Sequence, residues 1–204
     1  MILRGFLQAG GGSTRFGTDK ALVQLSGKSM LRRAGDLLAS VCDELSIVAP
    51  AGRYANETWP VISDRWPGEG PLGGILTALA TIRTSEPGAA WALIVSCDMP
   101  FLSREFLAYL SERAMESNAE VVVPQSAGGL EPLCACWRAS AVAGVQSAFD
   151  SGVRKVTEAM KLLTREVLDE SAWKRFDTDG RLFWNMNTPE DFAEARRILE
   201  TPNR

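Results

Sequence analysis

A run of glycines, two cations and one carboxylate are the groups in this chain best suited to handling an anion. Gly10, Gly11 and Gly12 follow directly on an apolar stretch, and Arg15 and Lys20 come shortly after them. Glycines behind a strand let main-chain N–H groups approach phosphate oxygens with no side chain in the way. Arg15 offers a planar fork and Lys20 a compact point charge, so the loop suits a triphosphate. Asp98, in Ser96-Cys97-Asp98-Met99-Pro100, ends a strongly apolar run, where a hard oxygen ligand suits Mg2+ shared with phosphates and water. Taken alone, the loop also reads as a glycine turn with two solvated cations, and Asp98 as a structural strand-end aspartate.

Composition narrows the chemistry further. The 204 residues contain no histidine, which removes Ser-His-Asp and Cys-His nucleophile activation, histidine metal sites and imidazole acid–base work together. A net charge of -3 points to no nucleic acid and no membrane as partner, so an anion must be held by a few local groups. Hydrophobic residues at 46% and charged residues at 23% are ordinary for a globular chain. No apolar run approaches membrane-spanning length, and a cytoplasmic location is expected. The four cysteines lack paired metal-knuckle spacing, so Cys42, Cys97, Cys134 and Cys136 read as reduced, partly buried thiols.

Two common glycine motifs fail. The dinucleotide fingerprint, started at Gly10, finds Gly12 but then Arg15. Gly27-Lys28-Ser29 has the ending of a P-loop, but Leu22 stands where the first glycine belongs, so Lys28 reads as a turn lysine before a helix.

Such groups need a scaffold that ends several strands at one edge. Residues 6–9, 45–49, 61–62 and 91–96 read as buried strands or strand ends, the second stopped by Pro50. Met30, Leu31, Ala34, Leu37, Leu38 and Val41 recur at the helical period behind Ser29 as N-cap. Residues 75–82 continue as a helix, and Phe106, Leu107, Leu110 and Ala114 mark another behind Ser103. Strands are expected over 120–124 and 133–137, and helices over 139–149, 153–163 and 189–199, the last with Pro189 first and Thr188 with Asp191 as a capping pair. Alternation in the first half and its break in the second predict an α/β fold: a Rossmann-like three-layer α/β/α sandwich with a mostly parallel, mixed central sheet. Without a repeat or linker, residues 1–204 read as one domain with a frayed end at 201–204.

The segment Leu7-Gln8-Ala9-Gly10-Gly11-Gly12-Ser13-Thr14-Arg15-Phe16-Gly17-Thr18-Asp19-Lys20 resembles the signature Leu-Ala-Gly-Gly-x-x-x-Arg-Met-Gly-x-Asp-Lys of nucleotidyltransferases with the nucleotide-diphospho-sugar-transferase fold. Its Asp-Lys ending is similar to that of molybdenum cofactor guanylyltransferases. Downstream, Asp64 with Gly70-Pro71-Leu72-Gly73-Gly74, the Asp98 stretch, Glu131-Pro132-Leu133 and Asn185-Met186-Asn187-Thr188-Pro189-Glu190-Asp191 match that family in order. Three departures stand out: Gln8 replaces leucine, Phe16 replaces methionine, and Ala49-Pro50-Ala51-Gly52 lacks an asparagine often found there.

The resemblance implies transfer of GMP from GTP to the terminal phosphate of molybdopterin, with release of pyrophosphate and Mg2+ as cofactor. It assigns Arg15, Lys20 and Asp98 to catalysis, with Asp98 on the metal. Gln8, Ala9, Gly10, Gly11, Gly12, Lys20, Asp64 and Asp98 would bind nucleotide, and Asn185 and Asn187 the acceptor. The N-terminal half would hold GTP and the C-terminal half the acceptor, with molybdoenzyme apoproteins or their chaperones as further partners. Asp64 also reads as a turn or N-cap aspartate, and Arg154 and Lys155 as a solvated helix start or as ligands of a pterin phosphate. The remaining alternatives are a cytidylyltransferase acting on molybdopterin, a sugar-1-phosphate nucleotidylyltransferase, and a non-catalytic GTP- or cofactor-delivery module.

Overall fold

The computed structural model describes residues 2–10, 19–85 and 91–200. The expectations for Gly11, Gly12, Arg15 and Phe16, and for fraying at 201–204, lie outside the described residues.

The chain builds β1 (Leu3–Gln8), a small hairpin of β2 (Gln24–Leu25) and β3 (Lys28–Ser29), α1 (Met30–Ala39), β4 (Glu44–Ala49), β5 (Val61–Ser63) and α2 (Pro71–Ser85). There follow β6 (Trp91–Ser96), α3 (Arg104–Glu116), β7 (Val121–Ser126), β8 (Gly129–Leu130), β9 (Cys134–Arg138), α4 (Val142–Asp150) and α5 (Val156–Ala159). The described chain closes with β10 (Arg165–Leu168), α6 (Glu170–Trp173) and α7 (Pro189–Glu200). The main sheet runs β10-β7-β9-β6-β1-β4-β5, with β8 paired to β7. β1 lies parallel between β4 and β6, β5 extends β4 in parallel, and β9 runs antiparallel to both β6 and β7. The sheet is therefore mixed and mostly parallel, as expected.

Side-chain alternation divides the core into two layers. Leu3 and Leu7 of β1, Leu45 and Ile47 of β4, and Trp91, Leu93 and Val95 of β6 face one layer, where they meet Leu31 and Leu38 of α1 and Phe106, Leu107 and Leu110 of α3. Phe6, Val48, Ala92 and Ile94 face the other, against Leu72, Ile75, Leu76 and Leu79 of α2 and Val145 and Phe149 of α4. Central strands covered on both sides are apolar on both faces, which is why β6 reads as an unbroken hydrophobic run. Cys134 and Cys136, two apart on β9, share the first layer as buried free thiols.

The helix starts follow the expected chemistry. Ser29 Oγ accepts from Arg32 N at 3.1 Å, and Ser103 Oγ from Phe106 N at 3.2 Å. Asp191 Oδ2 accepts from Thr188 N at 2.9 Å while Asp191 N donates to Thr188 Oγ1 at 3.1 Å, a reciprocal cap at the head of α7. The expected helix over 153–163 is shorter: α5 covers Val156–Ala159, and Met160–Leu162 tightens into a 3₁₀ turn. The strand β10 lies beyond the expected elements, an edge segment with one buried residue, Leu168. Among the described residues no helix is long and apolar enough to cross a membrane.

Ser103 closes the segment that carries Asp98, so its cap bears on the site as well as on α3. Ser103→Ala should lower the unfolding free energy by about 1 kcal/mol. Urea denaturation reads this directly, and an unchanged midpoint would contradict the capping role.

Candidate active site

Strands β4 and β6 flank β1 on opposite sides: the chain steps from β1 to β4 and β5 toward one edge, then crosses back after β5 to β6 on the other side of β1. In open α/β sheets, ligands sit outside the carboxyl ends of strands at such a switch point. A cleft of about 500 Å³ opens there. Gln8, Ala9 and Gly10 line it behind β1, Val48, Ala49 and Pro50 behind β4, and Ser96, Cys97 and Asp98 behind β6. Asp64, Gly68, Gly70, Pro71 and Gly74 form another wall, and Asp19, Lys20, Ala21, Leu133 and Asn187 complete it.

Backbone approach at the cleft is close. A Cβ on Gly10 would stand 2.7 Å from Pro50 Cδ, a contact that a ring tethered to the backbone relieves only by moving the chain. Gly74 leaves room for Gln8, whose Nε2 would lie 2.9 Å from a Cβ there and donates to Pro71 O at 3.2 Å. The glutamine that replaces the family's leucine thus ties the end of β1 to the first turn of α2.

Lys20 is the focus of the polar set. Its Nζ lies 3.2 Å from Asp98 Oδ2 and 3.1 Å from Asn187 Oδ1, with the Lys20 and Asp98 side chains only 14% and 22% exposed. The three residues are far apart in sequence and come from three connections. Asn187 is delivered by its neighbour: Met186 is buried and its N–H donates to Asp98 O at 2.9 Å. Phe101 and Trp184 stack nearby with ring centroids 5.5 Å apart, holding the C-terminal segment against the Asp98 loop.

The carboxylates of the cleft are differently committed. Asp19 Oδ1 accepts from Ala21 N at 3.1 Å, while Oδ2 takes Tyr54 Oη at 2.8 Å and the Arg53 guanidinium. Asp64 Oδ1 accepts from Trp66 N at 3.0 Å and lies 3.1 Å from Thr77 Oγ1, so this aspartate organises its own turn while lining the cleft. Asp98 differs. Its Oδ1 is the one buried carboxylate oxygen without a hydrogen-bond partner among the described residues. An uncompensated anionic oxygen of that kind invites a cation.

Burial with the Asp98 charge behind it pushes the Cys97 thiol up to about 12, so it stays neutral near pH 7 and supplies no thiolate nucleophile. Burial also raises the Glu131 carboxyl; the Ser126 hydroxyl at 2.6 Å opposes that rise and the Asp98 charge adds to it.

Of the residues singled out from sequence, Gln8, Ala9, Gly10, Lys20, Asp64, Asp98 and Asn187 share this cleft. Asn185 does not line it and donates instead to Phe183 O at 3.4 Å. Arg154 is tied to Glu69 at 2.5 Å and to Phe149 O at 2.8 Å, so it braces the wall that carries Gly68 and Gly70. Lys28 pairs with Asp36 at 2.7 Å, away from the cleft, as its turn position suggested. Sequence reasoning passed over Tyr54 and Thr77. Thr77 had a visible signal, a hydroxyl one helical turn beyond Gly73, whose carbonyl it meets at 3.0 Å.

Solved structures share this fold. The solved structure of molybdopterin-guanine dinucleotide biosynthesis protein A from Archaeoglobus fulgidus superposes with a TM-score of 0.82 at 24% identity, covering 96% of this chain and 98% of that one. The 2-C-methyl-D-erythritol 4-phosphate cytidylyltransferase from Thermus thermophilus gives 0.68 at 13% identity, covering 96% and 98%. The chain belongs to the MobA-like NTP transferase family, whose domain model matches residues 5–166. A molybdenum cofactor guanylyltransferase from Rhodopseudomonas palustris is 36% identical over 202 residues, covering 96% of this chain and 93% of the relative. A probable molybdenum cofactor guanylyltransferase from Chloroflexus aggregans is 32% identical over 214 residues, covering 100% and 98%.

Thr77 is fully buried, accepts from Arg65 N at 3.1 Å and supports Asp64. Thr77→Val keeps the shape and removes these partners, so it should destabilise the protein by about 1–3 kcal/mol. Equal urea stability of the two proteins would contradict the role of Thr77 in holding the Asp64 turn.

Proposed function

We propose that this nucleotidyltransferase is a Mg2+-dependent guanylyltransferase that moves GMP from GTP to the terminal phosphate of molybdopterin. In this reading residues 1–204 act as one domain, with GTP on the N-terminal half and the acceptor on the C-terminal half. The observation that carries it is the placement of Lys20. Its ammonium bridges Asp98 in the nucleotide half and Asn187 in the acceptor half, in a family whose full-length relatives are named for this reaction.

The chemistry asks little of the protein beyond position and charge. An oxygen of the acceptor phosphate forms a bond to the α-phosphorus of GTP as the bond from that phosphorus to the bridging oxygen breaks, and pyrophosphate leaves with the electron pair. The attacking oxygen is already anionic, so the missing histidine and the neutral Cys97 thiol are no handicap. Lys20 exchanges its contact with Asp98 for an α-phosphate oxygen and meets the charge that develops there. Main-chain donors at Gly10 to Gly12, together with Arg15, hold the departing pyrophosphate. Asn187 orients the acceptor, while Asn185, held to Phe183 O, stands back from the cleft.

The residues present fit a divalent cation. Asp98, with its orphaned buried oxygen, would hold Mg2+ together with phosphate oxygens and water. The ion, when bound, neutralises charge on the phosphates. The product would pass to molybdoenzyme apoproteins or their chaperones in the cytoplasm.

Pyrophosphate release with molybdopterin and Mg2+, compared across GTP, CTP and UTP, tests the reading. Release with GTP is expected; release with CTP alone would make the chain a cytidylyltransferase, and binding without turnover would make it a delivery module. Asp98→Ala and Lys20→Ala should each lower the single-turnover rate about 100-fold, the scale of one preorganised electrostatic group. Wild-type turnover by either variant would remove that residue from the mechanism.

A further inference from the structure

Tyr54 holds a backbone conformation that bulky residues avoid. Its φ is 56°, in the left-handed region, where a Cβ crowds the following carbonyl. The conformation goes with one directed contact. From the segment after β4, the Tyr54 hydroxyl donates to Asp19 Oδ2 at 2.8 Å. The ring is half-buried against the core layer of α1, so the hydroxyl is presented from a fixed base.

Asp19 passes that constraint to its neighbour. Its second oxygen closes on Ala21 N at 3.1 Å, and its carbonyl accepts from Leu22 N at 2.9 Å. The carboxylate is therefore pinned at both oxygens on either side of Lys20, which opens the 3₁₀ turn Lys20–Leu22. Lysine has a long, freely rotating stem, so an ammonium that must stand at one point gains from a fixed turn at its root. Arg53 touches the same Asp19 oxygen, but its side chain is 51% exposed and it offsets charge more than it sets direction.

We infer that Tyr54 is a positioning residue which, acting through Asp19, sets where the Lys20 ammonium stands in the cleft. The inference rests on the reading of the cleft as a site for nucleotide phosphates. Tyr54 is not among the residues that line the cleft, and its hydrogen bond goes to Asp19, so its effect runs through the turn. If the hydroxyl served only to support the core, its loss would change stability and leave anion binding alone.

The test is calorimetric binding of tripolyphosphate, with excess Mg2+, to the full chain and to Tyr54→Phe, Lys20→Met and the double variant. Tyr54→Phe keeps the ring and its packing and deletes the hydroxyl. With Lys20 present it should weaken binding about threefold to tenfold, the worth of one hydrogen bond. In the Lys20→Met background it should change nothing further, because the two act in series. Asp19→Asn, a second probe should Tyr54→Phe fold poorly, should show the same dependence on Lys20. Equal binding by Tyr54→Phe and wild type, or the same loss with and without Lys20, would overturn the inference while leaving the nucleotide reading intact. Absence of binding by the wild type would overturn both.

Discussion

A partly buried ion pair between Lys20 and Asp98 organises this molecule. Taking an ammonium and a carboxylate out of water costs several kcal/mol per ion after relaxation, and their attraction repays this only with good geometry and further hydrogen bonds. Here the geometry is 3.2 Å, the second hydrogen bond goes to Asn187, and one Asp98 oxygen has no partner among the described residues. A pair built for stability alone would satisfy that oxygen. With that oxygen open, the proposed function has the pair exchange partners: the ammonium toward phosphate, the carboxylate toward a cation.

The fold supplies what the pair needs. Parallel strands β1, β4 and β6 end together, and their apolar faces are covered on both sides, so the strand ends are rigid. The glycine at Gly10 lets the chain turn against Pro50, and Met186 fastens the C-terminal segment to the carbonyl of Asp98 itself. Asn187 is thus hung from the residue that bears the carboxylate. Movement of the Asp98 loop would move Asn187 with it, which couples the two halves of the cleft by one backbone hydrogen bond.

Much of this was legible in the residues. Alternation of short apolar runs with helical periods gave the mixed α/β sheet, and Ser29, Ser103 and Thr188 marked helix starts that the hydrogen bonds bear out. The strand β10 was not legible because it is a four-residue edge with a single buried side chain. The helix expected over 153–163 was legible in place but not in length: only Val156–Ala159 is α-helical before the 3₁₀ turn Met160–Leu162. Lys20, Asp98 and Asn187 were each visible from motif, but their meeting point was not, since it depends on three connections converging. Tyr54 gave no sequence signal at all: its contact with Asp19 spans 35 positions and requires a left-handed backbone that tyrosine rarely adopts. Asp64 shows the opposite case, where the turn role and the place in the cleft are held by the same carboxylate.

A crystal structure with Mg2+ and a GTP analogue blocked at the α–β bridge would test the exchange most directly. The account predicts the phosphates in the cleft beside Gly10, the Lys20 ammonium moved from Asp98 onto a phosphate oxygen, and the ion on Asp98. Nucleotide bound elsewhere, with the Lys20–Asp98 pair intact, would contradict it.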